Sequence, residues 1–309
     1  MQKHYTIKRF CTGLLKNYSH KKDHLISGFL KQGWARFVFS DVSQTLSDVS
    51  SRFSIERNDK KEELGIAFNT SLIMNSFLHG EERIKLICQY ETDNILTSIY
   101  SESISNGEIR GFLEDNEIKE KSTYSDFLKI GKILYNHYQE VSGIIKLQSN
   151  KLTSEDIFNY FELSEQIRTH VFFHNNFTEH SISQGFILQK MPDCDLNKLS
   201  KLFTDIKENP SFQSIQKEGL SADKVYKIFN DLNLEVECKR TPIQFFCRCS
   251  IAQFMKTLKG LGKETILDMR EKNQRTLTCQ LCRNQYILKD VDFDNLITSF
   301  REEQTNNST

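Results

Sequence analysis

At 309 residues, with 27% charged and 11% aromatic residues and 23 phenylalanines, the chain is too apolar to be disordered and long enough for two globular units. Lys plus Arg and Asp plus Glu balance at 41 each, which argues against a protein whose main work is neutralising phosphates, so nucleic acid is not an expected partner. The basic start MQKHYTIKRF lacks a signal-peptide core, and nothing downstream reaches the roughly 20 apolar residues of a spanning helix; the expectation is a cytoplasmic chain with no membrane partner.

Taken in chain order, Glu62 to Leu78 carries Leu64, Phe68 and Leu72 at a four-residue step, which predicts a helix packed into a core. Ile84, Leu86, Cys88 and Tyr90 alternate with mostly polar residues and predict a half-buried strand, closed by a turn at Glu91 to Asn94. Further strands are expected at Ile109 to Leu113, Ile144 to Leu147, Val171 to Phe173 and Phe186 to Gln189. Thr153, with Asp156 three residues on, predicts a helix start with Ile157, Phe158, Phe161 and Ile167 turned inward. These elements make residues 1–193 one core domain of α+β class with a mixed sheet.

Residues 194–237 are more polar, with Pro210 and Gly219 as breakers between two short amphipathic patterns. One runs through Leu196, Leu199, Leu202, Phe203 and Ile206, the other through Val225, Ile228 and Phe229. Isolated helices below about 12 to 15 residues rarely hold in water, so this segment reads as a metastable helical linker that needs a domain to dock on. Residues 238–300 form the second compact unit, and 301–309 a disordered tail.

The second unit holds the informative motif. Cys247-Arg248-Cys249 puts two thiols on one face of an extended segment, and Cys279 and Cys282 stand three apart across a turn, the spacing by which zinc ribbons present two sulfurs to a metal. A helix through Phe254, Leu258 and Leu261 would bring the pairs together. Four thiolates satisfy tetrahedral zinc and leave no position for water or substrate, so the expected site is closed and not hydrolytic. Cys11, Cys88, Cys194 and Cys238 lack such spacing and read as small buried hydrophobes, Cys238 being the one close enough to the cluster for an auxiliary redox role. His170 and His174 are four apart, but Val171 stands where a zinc protease needs Glu and the VFF between them reads as strand. With no glycine-rich phosphate loop and no GxSxG elbow, a non-enzymatic role is expected.

The segments FFCRCS at 245–250, LGKETILDM at 261–269 and CQLCRNQY at 279–286 resemble the heat-shock protein 33 family of redox-regulated chaperones. The resemblance extends to GEIRGF at 107–112, SGIIKLQSNKLTSEDIFNYFELSEQI at 142–167 and GFILQKMP at 185–192. Two positions depart from the family pattern: Ala252 stands where a Glu is usual, and Asn150 where a Gly is usual. The resemblance implies an ATP-independent holdase, zinc-bound and inactive when reduced, that oxidants switch on to bind unfolding proteins, often as a homodimer. It carries the zinc ligands over to Cys247, Cys249, Cys279 and Cys282. Arg110, Ser164, Glu165 and Gln166 also match and read as a structural polar network.

Physical chemistry makes such a switch reasonable. Zinc holds thiols as thiolates, the form that reacts with oxidants, and its binding contributes about 10 to 16 kcal/mol in small domains, against about 5 to 15 for the stability of a whole domain. Loss of zinc is expected to unfold residues 241–300 and undock the linker, exposing Leu199, Leu202, Phe203, Ile228 and Phe229 as a client-binding surface. Sulfurs on one metal are close enough for neighbour or crossed disulfides; loop closure favours Cys247–Cys249 and Cys279–Cys282 once the unit loosens. The alternative of another class is a constitutive zinc-ribbon adaptor, which would bind its partner while reduced.

Overall fold

The computed structural model describes residues 23–104, 106–118, 126–135, 139–178, 181–192 and 194–306, with side chains to residue 300. The N-terminal decapeptide, Cys11 and residues 307–309 lie outside these. The chain divides between Phe246 and Cys247 into two compact units.

The first unit is built on two sheets. A five-stranded antiparallel sheet has the order β10 (Val236–Pro242), β1 (His24–Leu30), β2 (Ala35–Asp41), β9 (Ile182–Lys190) and β8 (Thr169–Asn176). A six-stranded sheet has the order β11 (Gln244–Phe245), β5 (Glu108–Glu117), β4 (Ile95–Ile104), β3 (Arg83–Thr92), β6 (Phe127–Ile133) and β7 (Val141–Lys146), mixed because β11 runs parallel to β5. The turn expected at Glu91 to Asn94 narrows to Asp93 and Asn94, both at positive φ, the geometry of a two-residue hairpin that follows the strand twist.

Short helix α1 (Ser43–Arg52) leads into α2 (Asn58–Asn75), the helix expected from Leu64, Phe68 and Leu72. Every residue of α2 from Glu63 to Asn75 is buried, and it packs against strands of both sheets, as a helix without a polar face must. Its buried charged side chains are bonded: Lys60 Nζ donates to Tyr90 Oη and Thr97 Oγ1, each at 2.8 Å, and Tyr90 Oη donates to Glu63 at 2.7 Å. The helix expected at Thr153 is α3 (Ser154–Tyr160), and its start is a capping box, Thr153 N donating to Asp156 Oδ2 at 2.9 Å and Asp156 N to Thr153 Oγ1 at 3.3 Å. It ends sooner than the pattern suggested, because Phe161–Glu165 form one wider π turn closed by Gln166 at φ 54°; Ile167 is therefore not helical. Of the four family-matched polar residues, Arg110 bonds Glu102, Glu165 pairs with Lys132, and Gln166 is exposed.

The segment expected as a two-helix linker is three helices: α4 (Leu196–Glu208), α5 (Pro210–Glu218) and α6 (Ala222–Asp231). Each begins on a side-chain cap, from Asp195, Asn209 and Ser221. Together they cover one face of the five-stranded sheet. Leu199, Leu202, Ile206, Phe212, Ile215, Val225, Ile228 and Phe229 meet Ile26, Phe37, Phe39, Phe186 and Leu188 in a shared core. The Phe37 and Phe229 rings lie 4.4 Å apart, as do those of Phe39 and Phe186. The expectation that the linker depends on the cysteine unit for its docking is thus corrected: its apolar partner is the sheet of the first unit. A polar fastening reinforces it, since Asp41 Oδ2 accepts from Leu220 N at 3.2 Å and from Gln184 Nε2 at 2.9 Å, and Gln184 donates as well to Ile215 O at 3.0 Å.

Residues 238–246, expected in the cysteine unit, belong with the first one, because β10 pairs along the whole of β1. In the second unit, α7 (Ile251–Lys259) and α8 (Lys263–Glu271) are separate helices, broken at Gly260–Gly262, and Leu261, expected on the apolar face, is exposed in that break. A hairpin of β12 (Thr276–Thr278) and β13 (Gln285–Ile287) follows, and α9 (Asp290–Asn306) closes the unit. Residues 301–306, expected in a disordered tail, continue that helix.

Candidate metal centre

Two loops carry the four thiols. Cys247–Ser250 is irregular, and Ser250 ends it by capping α7, its Oγ accepting from Gln253 N at 3.3 Å. Ala252, where the family pattern has Glu, is an exposed residue in the first turn of this helix. The other loop is the tight connection of the β12–β13 hairpin. Cys279 N donates to Asn284 O at 2.9 Å and Arg283 N to Cys279 O at 2.8 Å, with Arg283 at φ 61°, so the backbone curls and turns the sulfurs of Cys279 and Cys282 inward.

The four sulfurs lie within 4.8 Å of one another. Cys247 Sγ is 3.7 Å from Cys279 Sγ, and Cys249 Sγ is 3.4 Å from Cys282 Sγ, close to the ~3.8 Å edge of a tetrahedron of sulfurs about 2.3 Å from a common centre. All four are free thiols. Cys279 and Cys282 are buried, and Cys247 and Cys249 partly so. The donor set, its spacing and its burial fit a metal ion, and a soft one, because four sulfurs offer no hard oxygen ligand.

The environment treats the sulfurs unequally. Burial pushes the Cys247 and Cys282 thiols up. At Cys249 burial acts in the same sense but is outweighed by the Tyr286 hydroxyl and the neighbouring sulfurs, so its thiol lies below the ordinary value. Tyr286, on β13, is 3.2 Å from Cys249 Sγ and donates to Cys249 O at 3.0 Å. Its hydroxyl is pushed up to about 12 by that sulfur contact. The sequence carries a signal for this residue, an aromatic four positions after the last cysteine, but nothing in the spacing shows which thiol it reaches.

The other cysteines stand apart from this group. Cys88 is in the interior of the first core, Cys194 is buried under α4, and Cys238 lies on β10 opposite Gly28. His170 and His174 are on β8, as the strand reading requires: His170 stacks on Phe203 and bonds Ser200 Oγ at 3.1 Å. Leu199, Leu202, Ile228 and Phe229 are buried in the helix layer, and Phe203 is partly buried beside them. Among the described residues, no helix is long and apolar enough to cross a membrane.

Comparison with known proteins agrees with this picture. The 33 kDa chaperonin of Lactococcus lactis subsp. cremoris is 24% identical over 296 residues, covering 89% of this chain and 99% of that protein. The 33 kDa chaperonin of a Geobacter species is 22% identical over 300 residues, covering 92% and 99%. The fold matches the crystal structure of the 33 kDa chaperonin (heat shock protein 33 homolog) from Thermotoga maritima with a TM-score of 0.76 at 19% identity, covering 92% of this chain and all of that one. The family model described as Hsp33 protein matches residues 23–289, a span that takes in both sheets, the helix layer and all four clustered cysteines; the chain belongs to the Hsp33 family of chaperones.

Proposed function

We propose that this chain is a redox-regulated, ATP-independent holdase that binds unfolding proteins when its clustered cysteines are oxidised. The observation that carries the reading is the gathering of four unoxidised sulfurs within 4.8 Å in a unit whose apolar cluster, among the described residues, has five buried side chains. In the reduced protein Cys247, Cys249, Cys279 and Cys282 hold one zinc ion, which supplies the positive charge that keeps the sulfurs as thiolates. A peroxide takes two electrons from a pair of thiolates: the sulfurs join, the O–O bond breaks, and two hydroxide ions leave. Sulfurs joined in this way are no longer anionic ligands, and the unit loses what holds it together.

The bonds formed are Cys247–Cys249 and Cys279–Cys282. The approaches of 3.7 and 3.4 Å run between the loops, so crossed bonds are also within reach at the start. Neighbour bonds win as the unit loosens, because they close no long loop. Helix α6 continues through β10 and β11 into Cys247 without an intervening linker, a short route by which disorder in the cysteine unit reaches the helix layer. The three helices are 13, 9 and 10 residues long, about the length at which helices need tertiary support. Their undocking presents Leu199, Leu202, Phe203, Ile228 and Phe229 to clients and to a second copy of the chain, giving a homodimer on activation.

An aggregation assay without ATP, on reduced zinc-loaded and on oxidised protein, tests the reading. Suppression by the oxidised form alone is expected; equal suppression by both would instead mark a constitutive zinc-ribbon adaptor. Metal analysis should find one zinc per reduced chain, and mass mapping of the oxidised protein should find the neighbour disulfides.

A further inference from the structure

We infer that Tyr286 is a positioning residue that ties Cys249 into the thiol cluster and slows its oxidation, an inference that rests on the proposed thiol switch and assigns one sulfur of it a restraint of its own. The Tyr286 hydroxyl lies 3.2 Å from Cys249 Sγ and 3.0 Å from Cys249 O, so one phenol oxygen meets both the side chain and the backbone of a residue 37 positions away. The ring is held from its other side by Phe254 of α7, with centroids 5.3 Å apart. The strand, the helix and the loop thus converge on one hydroxyl.

The chemistry follows from where the proton goes. A phenol has one proton and two acceptors here, and an anionic sulfur is the stronger acceptor because charge-assisted hydrogen bonds are roughly twice as strong as neutral ones. For Cys249 to attack a hydroperoxide, the sulfur lone pair must form an S–O bond while the O–O bond breaks and hydroxide leaves. A second thiolate then displaces hydroxide from that sulfur to give the disulfide. The Tyr286 hydrogen bond occupies electron density that the first of these steps needs and must be broken on the way. Cys249 is also one of the two less buried thiols, so solvent access alone does not protect it from oxidant. The hydroxyl also restrains the residue, because it meets both the sulfur and the carbonyl oxygen of Cys249.

The test is Tyr286→Phe in the full-length reduced protein, which removes the hydroxyl and leaves the ring on Phe254. After zinc loading, hydrogen peroxide is added, and loss of Cys249 alkylation by mass spectrometry and zinc release to a colorimetric chelator are followed together. The expected result is a rise in both rates of roughly ten- to a hundredfold, the range for loss of one hydrogen bond to a charged acceptor. Zinc loss to a competing chelator without peroxide should rise by clearly less than the two peroxide rates. Equal peroxide rates in the two proteins would overturn the inference, and so would equal acceleration with and without peroxide, which would make Tyr286 only a structural support. If the unsubstituted protein holds no zinc, the metal reading fails on its own, and the Cys249 oxidation rates still decide for or against Tyr286.

Discussion

The helix layer over the five-stranded sheet and the cysteine unit are both built from short helices, yet they are ordered by different means. The layer shares a core of twenty buried residues, five of them phenylalanines, with strands that are already part of a larger domain. Among the described residues, the apolar cluster of the cysteine unit has five buried side chains, Leu258, Ile266, Leu288, Phe293 and Leu296, in a segment of about the size at which one core rarely suffices. Apolar area holds the first region and is insensitive to oxidants. The second gathers four sulfurs within 4.8 Å of one another, and thiols are reactive. On the proposed reading the second region, with its small core and oxidisable side chains, is the sensor, and the helix layer is the buried apolar surface that its loss releases.

The cysteine unit is the more fragile of the two regions. Cys279→Ser, or removal of metal by a strong chelator, should abolish zinc retention and unfold residues 247–306 while the two sheets of the first unit persist, because structural zinc contributes about 10 to 16 kcal/mol and five apolar side chains cannot replace it. Hydrogen exchange resolved by peptide is the measurement. Full protection of β12, β13 and α9 in the metal-free protein would show that the unit stands without its sulfur centre, and the contrast between the regions would be lost.

Next comes the layer itself. Phe229 is fully buried, and its ring is 4.4 Å from Phe37 of the sheet. Phe229→Ala should cost about 3 to 5 kcal/mol, enough to undock α6. If the layer is the client surface, the reduced variant should suppress client aggregation without oxidant and still retain zinc. A destabilised variant that stays inactive until oxidised would place the client surface elsewhere.

Much of this contrast is legible in the sequence, and the parts that are not have physical reasons. Cys247, Cys249, Cys279 and Cys282 stand out because metal-ligand spacing is local, and α2 and β3 stand out because their apolar periods are unbroken. Pro210 and Gly219 read as mere breakers, although they are the first residue and the C-cap of α5, a proline-first, glycine-last pattern that marks a helix. The boundary at 238 missed β10, since its partner β1 lies some two hundred residues earlier and its exposed edge alternates only weakly. The docking partner of α4–α6 was beyond reach for the same reason: an amphipathic helix shows that it must be covered, not by what.

A milder change sharpens the account of how the layer is fastened. Asp41 accepts from Ser43 Oγ at 2.5 Å as well as from Leu220 N and Gln184 Nε2. Asp41→Asn keeps the shape but turns an NH₂ group toward donors, which should cost about 1 to 3 kcal/mol in a buried setting. The variant should show faster hydrogen exchange at the start of α6 than elsewhere in the layer; uniform exchange across α4–α6 would mean that the carboxylate fastens nothing in particular.

The smallest effect expected is a dependence of layer docking on pH. His170 and His174 lie on β8 under the helices, and burial holds both imidazoles below their ordinary value of 6.5; the nearby Arg168 adds to this at His170, where Glu162 opposes it. A histidine whose folded pKa is depressed stabilises the folded state above the unfolded value, and that contribution is lost as pH falls through 6.5 toward the folded value. Acidification from pH 7.5 should therefore begin to loosen α4 and α5 below about 6.5. Asp23 works in the opposite sense. Its carboxyl is raised to about 6, chiefly by burial, so its contribution is present at low pH and lost as pH rises through 6, and Glu63 is raised likewise. The opposing groups are separated by place, because Asp23 bonds the start of α1 while His170 touches Ser200 and Phe203 of α4. Hydrogen exchange between pH 7.5 and 5.5, corrected for the intrinsic rate, should show α4 losing protection while α1 does not, and His170→Gln should flatten the α4 slope. An α4 slope unchanged in that variant would mean that the histidines only fill space, and that the layer is held by apolar contact alone.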